Sequence, residues 1–163
     1  MNEVTGEVAQ QLVTFVLGRQ RFAVSLQNVI RVVAAAQWTP LPDAPEVVLG
    51  IIDFHGQIIP VVDPRRGLHR VSPDVSIADQ FIIVYTGLRT IALLVNDTLG
   101  VIARNIVPIS RVRLREAGSS LFAGAVSVDD ELVLIHDVER FLSIEELRAL
   151  DEALKGRMLE GSR

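Results

Sequence analysis

Apolar and polar residues alternate with a period of two through much of the chain. In Arg21 to Leu26, Phe22, Val24 and Leu26 point one way and Arg21, Ala23 and Ser25 the other, the pattern of a half-buried strand. Gly18-Arg19-Gln20 ahead of it predicts a hairpin turn out of an earlier strand, Leu12 to Leu17. Ile51 to Phe54 and Gln57 to Val62 flank His55-Gly56 and predict a second hairpin. Pro60 in its second arm lacks a ladder donor and marks an edge or a bulge. Further strands are predicted over Phe81 to Tyr85, Thr90 to Val95 and Leu132 to Ile135, with a turn at Thr86-Gly87. Trp38 to Pro45 is proline-rich and reads as an extended connection; Arg111 to Ser120 is charged, bears Gly and Ser, and reads as a mobile loop. Towards the C-terminus the period becomes helical, with Ile144, Leu147, Leu150 and Leu154 on one side. Ser143 and Glu146 form a capping box ahead of this helix, each satisfying a free amide of the first turn. Lys155 and Gly156 supply the chemistry of a helix end.

The pattern occurs twice. Gly50 to Leu68 overlays Gly124 to Leu142 without a gap, placing Gly50 on Gly124, Asp63 on Asp137, Arg66 on Arg140 and Leu68 on Leu142. Upstream, Phe22 to Val33 overlays Ile91 to Ile102, again ungapped. The offsets are 74 and 69, so a difference of five residues lies in the linkers. Agreement in order and spacing, beyond the apolar alternation of any β protein, points to a duplication with copies at 22–68 and 91–142. Each copy reads as a hairpin, a short helical turn and a second hairpin ending in an aspartate. A unit of about 65 residues is too small for a sandwich and suits a small SH3-like barrel. The predicted fold is all-β with short helices: two SH3-like five-stranded β-barrels packed together in one domain over 1–163, with a C-terminal α-helix. A groove between two such barrels suits a peptide or a helix better than a small metabolite. Outer strands such as Leu12 to Leu17 would add barrel-to-barrel pairing, as exposed edges do.

Composition narrows the function classes. Hydrophobic residues make up 49% and charged ones 22%, ample for a core. A net charge of -4 lacks the concentrated positive field that nucleic acid requires. Every basic residue except Lys155 is arginine, whose planar fork suits protein interfaces, although genomic base composition leaves the same mark. The absence of cysteine excludes disulfides, thiolate chemistry and cysteine-based zinc sites. The opening MNEVTGEVAQ lacks the features of a signal peptide, and no apolar run approaches the roughly 18 residues of a membrane span. The expectation is a cytoplasmic protein with no direct membrane insertion.

Candidate chemistry is sparse. A metal-dependent or acid/base hydrolase would use Asp53, His55, Asp63 and His136, and requires them to converge in one cleft. Asp53 and His55, two apart on a strand, share a face, yet a hairpin-tip histidine in solvent accounts for the pattern as well. His136 falls where the first copy has Val62, which predicts partial burial and a hydrogen bond. Asp63 and Asp137, at matching strand ends, predict caps for the turns that follow. No nucleophile elbow, P-loop or GxGxxG cradle occurs. The reading is a binding protein with no catalytic residue, no metal and no cofactor.

The segment Gly50-Ile-Ile-Asp-Phe-His-Gly-Gln-Ile-Ile-Pro-Val-Val-Asp63 resembles the signature of CheW-like domains, roughly G-[VI]-x-N-L-R-G-x-[VI]-[VI]-P-[VI]-[VI]-D. The resemblance runs from Gln11 to about Leu154. It takes in the opening hairpin, a V-x-E-[VI] helical turn at Val29 to Val32, Pro45 and the closing LVLIHDVERFL. It implies two five-stranded barrels without catalysis or cofactor. The partners implied are the regulatory domain of a CheA-type histidine kinase and the cytoplasmic tip of a chemoreceptor, in membrane-associated arrays. It also implies partner contacts at Val29, Arg31, Gly50, Asp53, His55 and Gly56. The chain departs from the signature at the family arginine (His55), asparagine (Asp53) and glutamate (Arg31), and at the leucine after the strand-end aspartate (Pro64). If the family's acid and base face one another, Arg31 and His55 would form a pair that does not attract.

Overall fold

The computed structural model describes residues 9–64, 78–108 and 122–161, apart from the side chains of 144 and 158–161. Among these residues the chain forms β1 (Gln10–Leu17), β2 (Gln20–Ser25), β3 (Val29–Ala34), β4 (Val48–Phe54), β5 (Gln57–Val62) and β6 (Gln80–Tyr85). There follow β7 (Thr90–Val95), β8 (Asp97–Arg104), β9 (Val107–Pro108), β10 (Phe122–Val128), β11 (Glu131–His136) and α1 (Ile144–Gly161). One 3₁₀ turn, Leu26–Asn28, links β2 to β3, and another, Val138–Arg140, follows β11. The loop expected over Arg111 to Ser120 and the turn after Asp63 lie outside the described residues.

The strands form a six-stranded sheet, β8-β1-β2-β11-β10-β9, and a five-stranded sheet, β3-β6-β7-β5-β4. The β4–β5 hairpin recurs in β10–β11 at the offset of 74 read from the sequence. Both hairpins carry a bulge at the same step, Val48/Gly50 in one and Phe122/Gly124 in the other. The parallel seams correspond too: Val61 pairs with Ala92, and Ile135 with Ala23. The sheets are not the two copies, however. β2 lies in the six-stranded sheet while β3, β4 and β5 lie in the other; β7 and the strands after it are divided in the opposite sense. The chain passes between sheets at Leu26–Asn28 and again at Asn96. Asn96 secures its crossing by donating its amide to the Val16 carbonyl (3.0 Å) and Nδ2 to Asp79 Oδ1 (3.2 Å). Its Oδ1 accepts the Gly18 amide at 2.6 Å.

Three apolar clusters hold this arrangement. Leu12, Ala23, Val126, Val133 and Ile135 fill the six-stranded unit, and Ile59, Val61, Phe81, Ile83 and Leu94 the five-stranded one. The largest cluster lies between the sheets: Phe15, Leu17, Phe22 and Val24 meet Ile82, Val84, Ile91 and Leu93, with Leu150 and Ala153 of α1. Ala23 is therefore as buried as its neighbours, and β2 is covered on both faces, as befits a strand inside a sheet with cores on either side. Side chains of both sheets thus share one packed core. The all-β fold with a C-terminal helix is as predicted.

Several local readings change. β1 is flanked by β8 and β2 and offers no free edge. Val29 to Val32 is strand, the helical turn having come one step earlier. Pro60 sits where β5 pairs with β4 alone; the seam with β7 begins at Val61, so no ladder donor is missed. The capping box forms as expected, with the Ser143 amide on Glu146 Oε1 (2.9 Å) and the Glu146 amide on Ser143 Oγ (3.1 Å). The helix then continues past Lys155 and Gly156 to Gly161, held to the β6–β7 turn by an Arg89–Asp151 ion pair.

Candidate docking surface

The β4–β5 tip is built by its backbone. His55 (φ 51°) and Gly56 (φ 85°) are both left-handed, the mark of a two-residue I′ turn whose twist matches its strands. Asp53 Oδ1 accepts the Gly56 amide at 2.7 Å and closes the turn. His55 is thus a turn residue, outside the strand alternation that would have set it on the face of Asp53. Its ring rests against Phe54, with centroids 4.5 Å apart in an edge-on arrangement. From β3, Arg31 reaches the tip and places Nη1 3.3 Å from His55 Nε2. A guanidinium only donates, so the contact is a hydrogen bond in the tautomer whose Nε2 carries the lone pair. The two side chains thus face one another at the tip.

Asp53, His55, Gly56 and Arg31 are exposed and adjoin one another. The other two residues carried over from the resemblance are placed otherwise. Val29 is partly buried against the inter-sheet cluster. Gly50 is buried; a Cβ there would stand 2.3 Å from the Thr39 carbonyl oxygen and 2.6 Å from Trp38 Cδ1. It serves the close passage of the 38–39 segment over β4, where Thr39 bridges Ile51. Beside the tip lies a hollow of about 430 Å3 lined by Thr39, Ile52, Asp53, Phe54, Ile58 and Arg157 among others. Ile58 is 53% exposed, and its counterpart Leu132 is 55% exposed; Ile30 and its counterpart Leu99 stand at 52% and 48%. The continuous run Ile58 to Val62 hides the outward position from periodicity reasoning. The overlay of the copies was the signal that could have found it, since both keep an apolar residue there.

The residues of the hydrolase reading do not converge. Asp53 and His55 sit at the exposed tip, Asp63 is buried at the end of β5, and His136 belongs to the other sheet. His136 is packed among Phe15, Phe22, Phe122 and Phe141, ring centroids 4.9–5.9 Å away. Neither ring nitrogen has a hydrogen-bond partner among the described residues, contrary to expectation. Burial among apolar rings lowers its pKa to about 3, which keeps the imidazole neutral. Asp137 caps as predicted, accepting the Glu139 amide at 3.1 Å. Among the described residues no group of three or more His, Cys, Asp or Glu is placed to hold a metal ion, and no helix is long and apolar enough to cross a membrane.

Comparison with known proteins agrees with this architecture. The profile of the CheW-like domain matches residues 11–146. The chain is 26% identical over 143 residues to the chemotaxis protein CheW of Rhizobium meliloti, covering 86% of this chain and 92% of that protein. It is 23% identical over 159 residues to the chemotaxis protein CheW of Klebsiella aerogenes, covering 95% of each. The crystal structure of the scaffolding protein TtCheW from Thermoanaerobacter tengcongensis superposes with a TM-score of 0.75 at 24% identity, over 85% of this chain and 95% of that one. With the profile spanning most of its length, this chain belongs to the CheW-like domain family.

Proposed function

We propose that this chain is a non-catalytic adaptor of a bacterial chemosensory pathway, coupling the cytoplasmic tip of a chemoreceptor to the regulatory domain of a CheA-type histidine kinase. The family membership carries the reading, and relatives that span nearly the whole chain bear the name of chemotaxis protein CheW. The surface supports it. Each copy of the duplicated unit exposes apolar residues at matched positions, Ile30 with Leu99 and Ile58 with Leu132, a paired arrangement suited to holding two protein partners. Val29, Arg31, Gly50, Asp53, His55 and Gly56 divide in this proposal. Arg31, Asp53, His55 and Gly56 make contact, while Val29 and Gly50 shape the strands beneath. The protein acts in the cytoplasm and joins receptor arrays through its partners, with no nucleic acid partner and no direct membrane insertion. Titration calorimetry of the purified chain against a receptor-tip fragment and a kinase regulatory domain from the same genome tests this. Saturable binding of both, singly and together, is expected. Failure to bind either one would overturn the proposal.

A further inference from the structure

We infer that the outer edge of β8 is a self-association surface, on which a second copy of this chain adds its own β8 antiparallel. The inference goes beyond the adaptor reading and does not depend on it. β8 lies at one edge of the six-stranded sheet and, among the described residues, pairs with β1 alone. Thr98 sends its amide away from β1, to Gln80 Oε1 at 2.7 Å. Across the bulge, Thr98 stands opposite Phe15, Gly100 opposite Thr14 and Val101 opposite Val13. Ladder and outward positions alternate, so Val101 and Ala103 also turn their amides and carbonyls outward. The Ala103 carbonyl accepts Arg104 Nη1 at 2.9 Å. The Val101 amide and carbonyl have no partner among the described residues.

Bare strand edges are templates for another strand, and natural sheets blunt them with charge or proline. The middle of β8, Leu99 to Ala103, carries neither. Leu99 and Val101 are exposed there, and a Cβ on Gly100 would meet nothing within 4 Å. The ends of the strand choose the occupant. β8 opens with Asp97 and closes with Arg104, both exposed. A two-fold axis at Val101 bonds the Val101 amide and carbonyl of one copy to those of the other, and brings the acidic end of each strand to the basic end of its partner. Opposite charges thus meet twice in one contact. β3 is the equivalent edge of the other sheet, with Val32 on Val101 in the overlay of the copies. Paired with itself about Val32, β3 would set Arg31 beside Arg31, a repulsion that β8 avoids.

Sedimentation equilibrium of the purified full chain tests this. A concentration-dependent dimer is expected, weakened about tenfold by Asp97→Arg and by Arg104→Asp, each of which sets like charges together at both ends. An equimolar mixture of the two variants pairs two basic ends with two acidic ones and is expected to regain the association of the parent. The chain has no cysteine, so Val101→Cys introduces a lone thiol. Residues facing each other in a hydrogen-bonded antiparallel pair have Cα atoms about 5.5 Å apart, within the span of a disulfide. Val101→Cys is therefore expected to oxidise in air to a covalent dimer, while the exposed control Leu132→Cys stays largely monomeric. A parent that remains monomeric up to about 1 mM overturns the inference. So does association that neither charge reversal weakens, a mixture no stronger than its components, or cross-linking equal at the two thiols. The adaptor reading stands in each of these cases.

Discussion

Two hairpin tips meet one backbone requirement with different residues. At the β4–β5 tip the left-handed pair is His55-Gly56; at the β10–β11 tip it is Asp129-Asp130, with φ of 51° and 63°. Glycine adopts that conformation freely, whereas an L-residue carries a steric cost of roughly 1–2 kcal/mol. Asp129 lies 3.8 Å from Arg21 across the tip, and Asp130 is exposed. Asp130→Gly, which makes the favoured Asp-Gly pair, is expected to stabilise the protein by about 1 kcal/mol, read as a raised urea midpoint at unchanged slope. The first tip is legible in the sequence through its glycine. The second has none and becomes legible only when the copies are overlaid. The Arg31–His55 contact was not legible as a contact, since the reach of Arg31 from β3 to the tip is a long-range matter that no local signal carries.

Among the elements, glycine has opposite meanings in two places. In β10 a Cβ on Gly124 would stand 2.5 Å from the Val107 carbonyl oxygen and 2.6 Å from Ile106 Cγ2, repeating the crowding at Gly50. In α1 a Cβ on Gly156 would meet nothing within 4 Å. Gly124→Ala is therefore expected to cost about 1–3 kcal/mol, because backbone must move. Gly156→Ala is expected to add about 0.5–1 kcal/mol through helix propensity. Thermal unfolding of the two variants beside the parent checks both signs. The same contrast explains a misread boundary: Lys155-Gly156 carries the local chemistry of a helix end, but packing of Leu150 and Ala153 into the inter-sheet core anchors the helix beyond it. The turn placed at Val29 to Val32 failed for a related reason. Pairing with β6 draws those residues into a strand, and no local signal carries that long-range contact.

For the whole molecule, the decisive feature is the core shared by the two sheets, with His136 set among its phenylalanines. The folded pKa of His136, about 3, lies below the ordinary 6.5. The folded state thus refuses a proton that the unfolded chain accepts. The neutral ring's contribution is full above about pH 6.5 and is lost as pH falls through the window down to about 3, at roughly 1.4 kcal/mol per pH unit. Between about pH 7 and about pH 5 the parent is expected to lose about 2 kcal/mol on this account. His136→Val, which copies the residue at the matching position of the first unit, should remove that share of the loss; equal acid sensitivity in denaturant titrations of both proteins would refute the assignment. The hairpins and the fold class were legible from periodicity and overlay. The core shared by the two sheets was not, because apolar runs in β1, β2, β6 and β7 do not declare that both of their faces are covered. Nor was the division of strands between sheets, since the copies look self-contained when written in a line. That division has a topological outcome. The connection between β5 and β6 separates the copies in sequence, yet a chain severed there leaves neither piece with a complete sheet: one retains β1 and β2 without β8, β10 and β11, the other β6 and β7 without β3, β4 and β5. In effect neither stretch builds a sheet by itself, and each lends the other the strands it lacks.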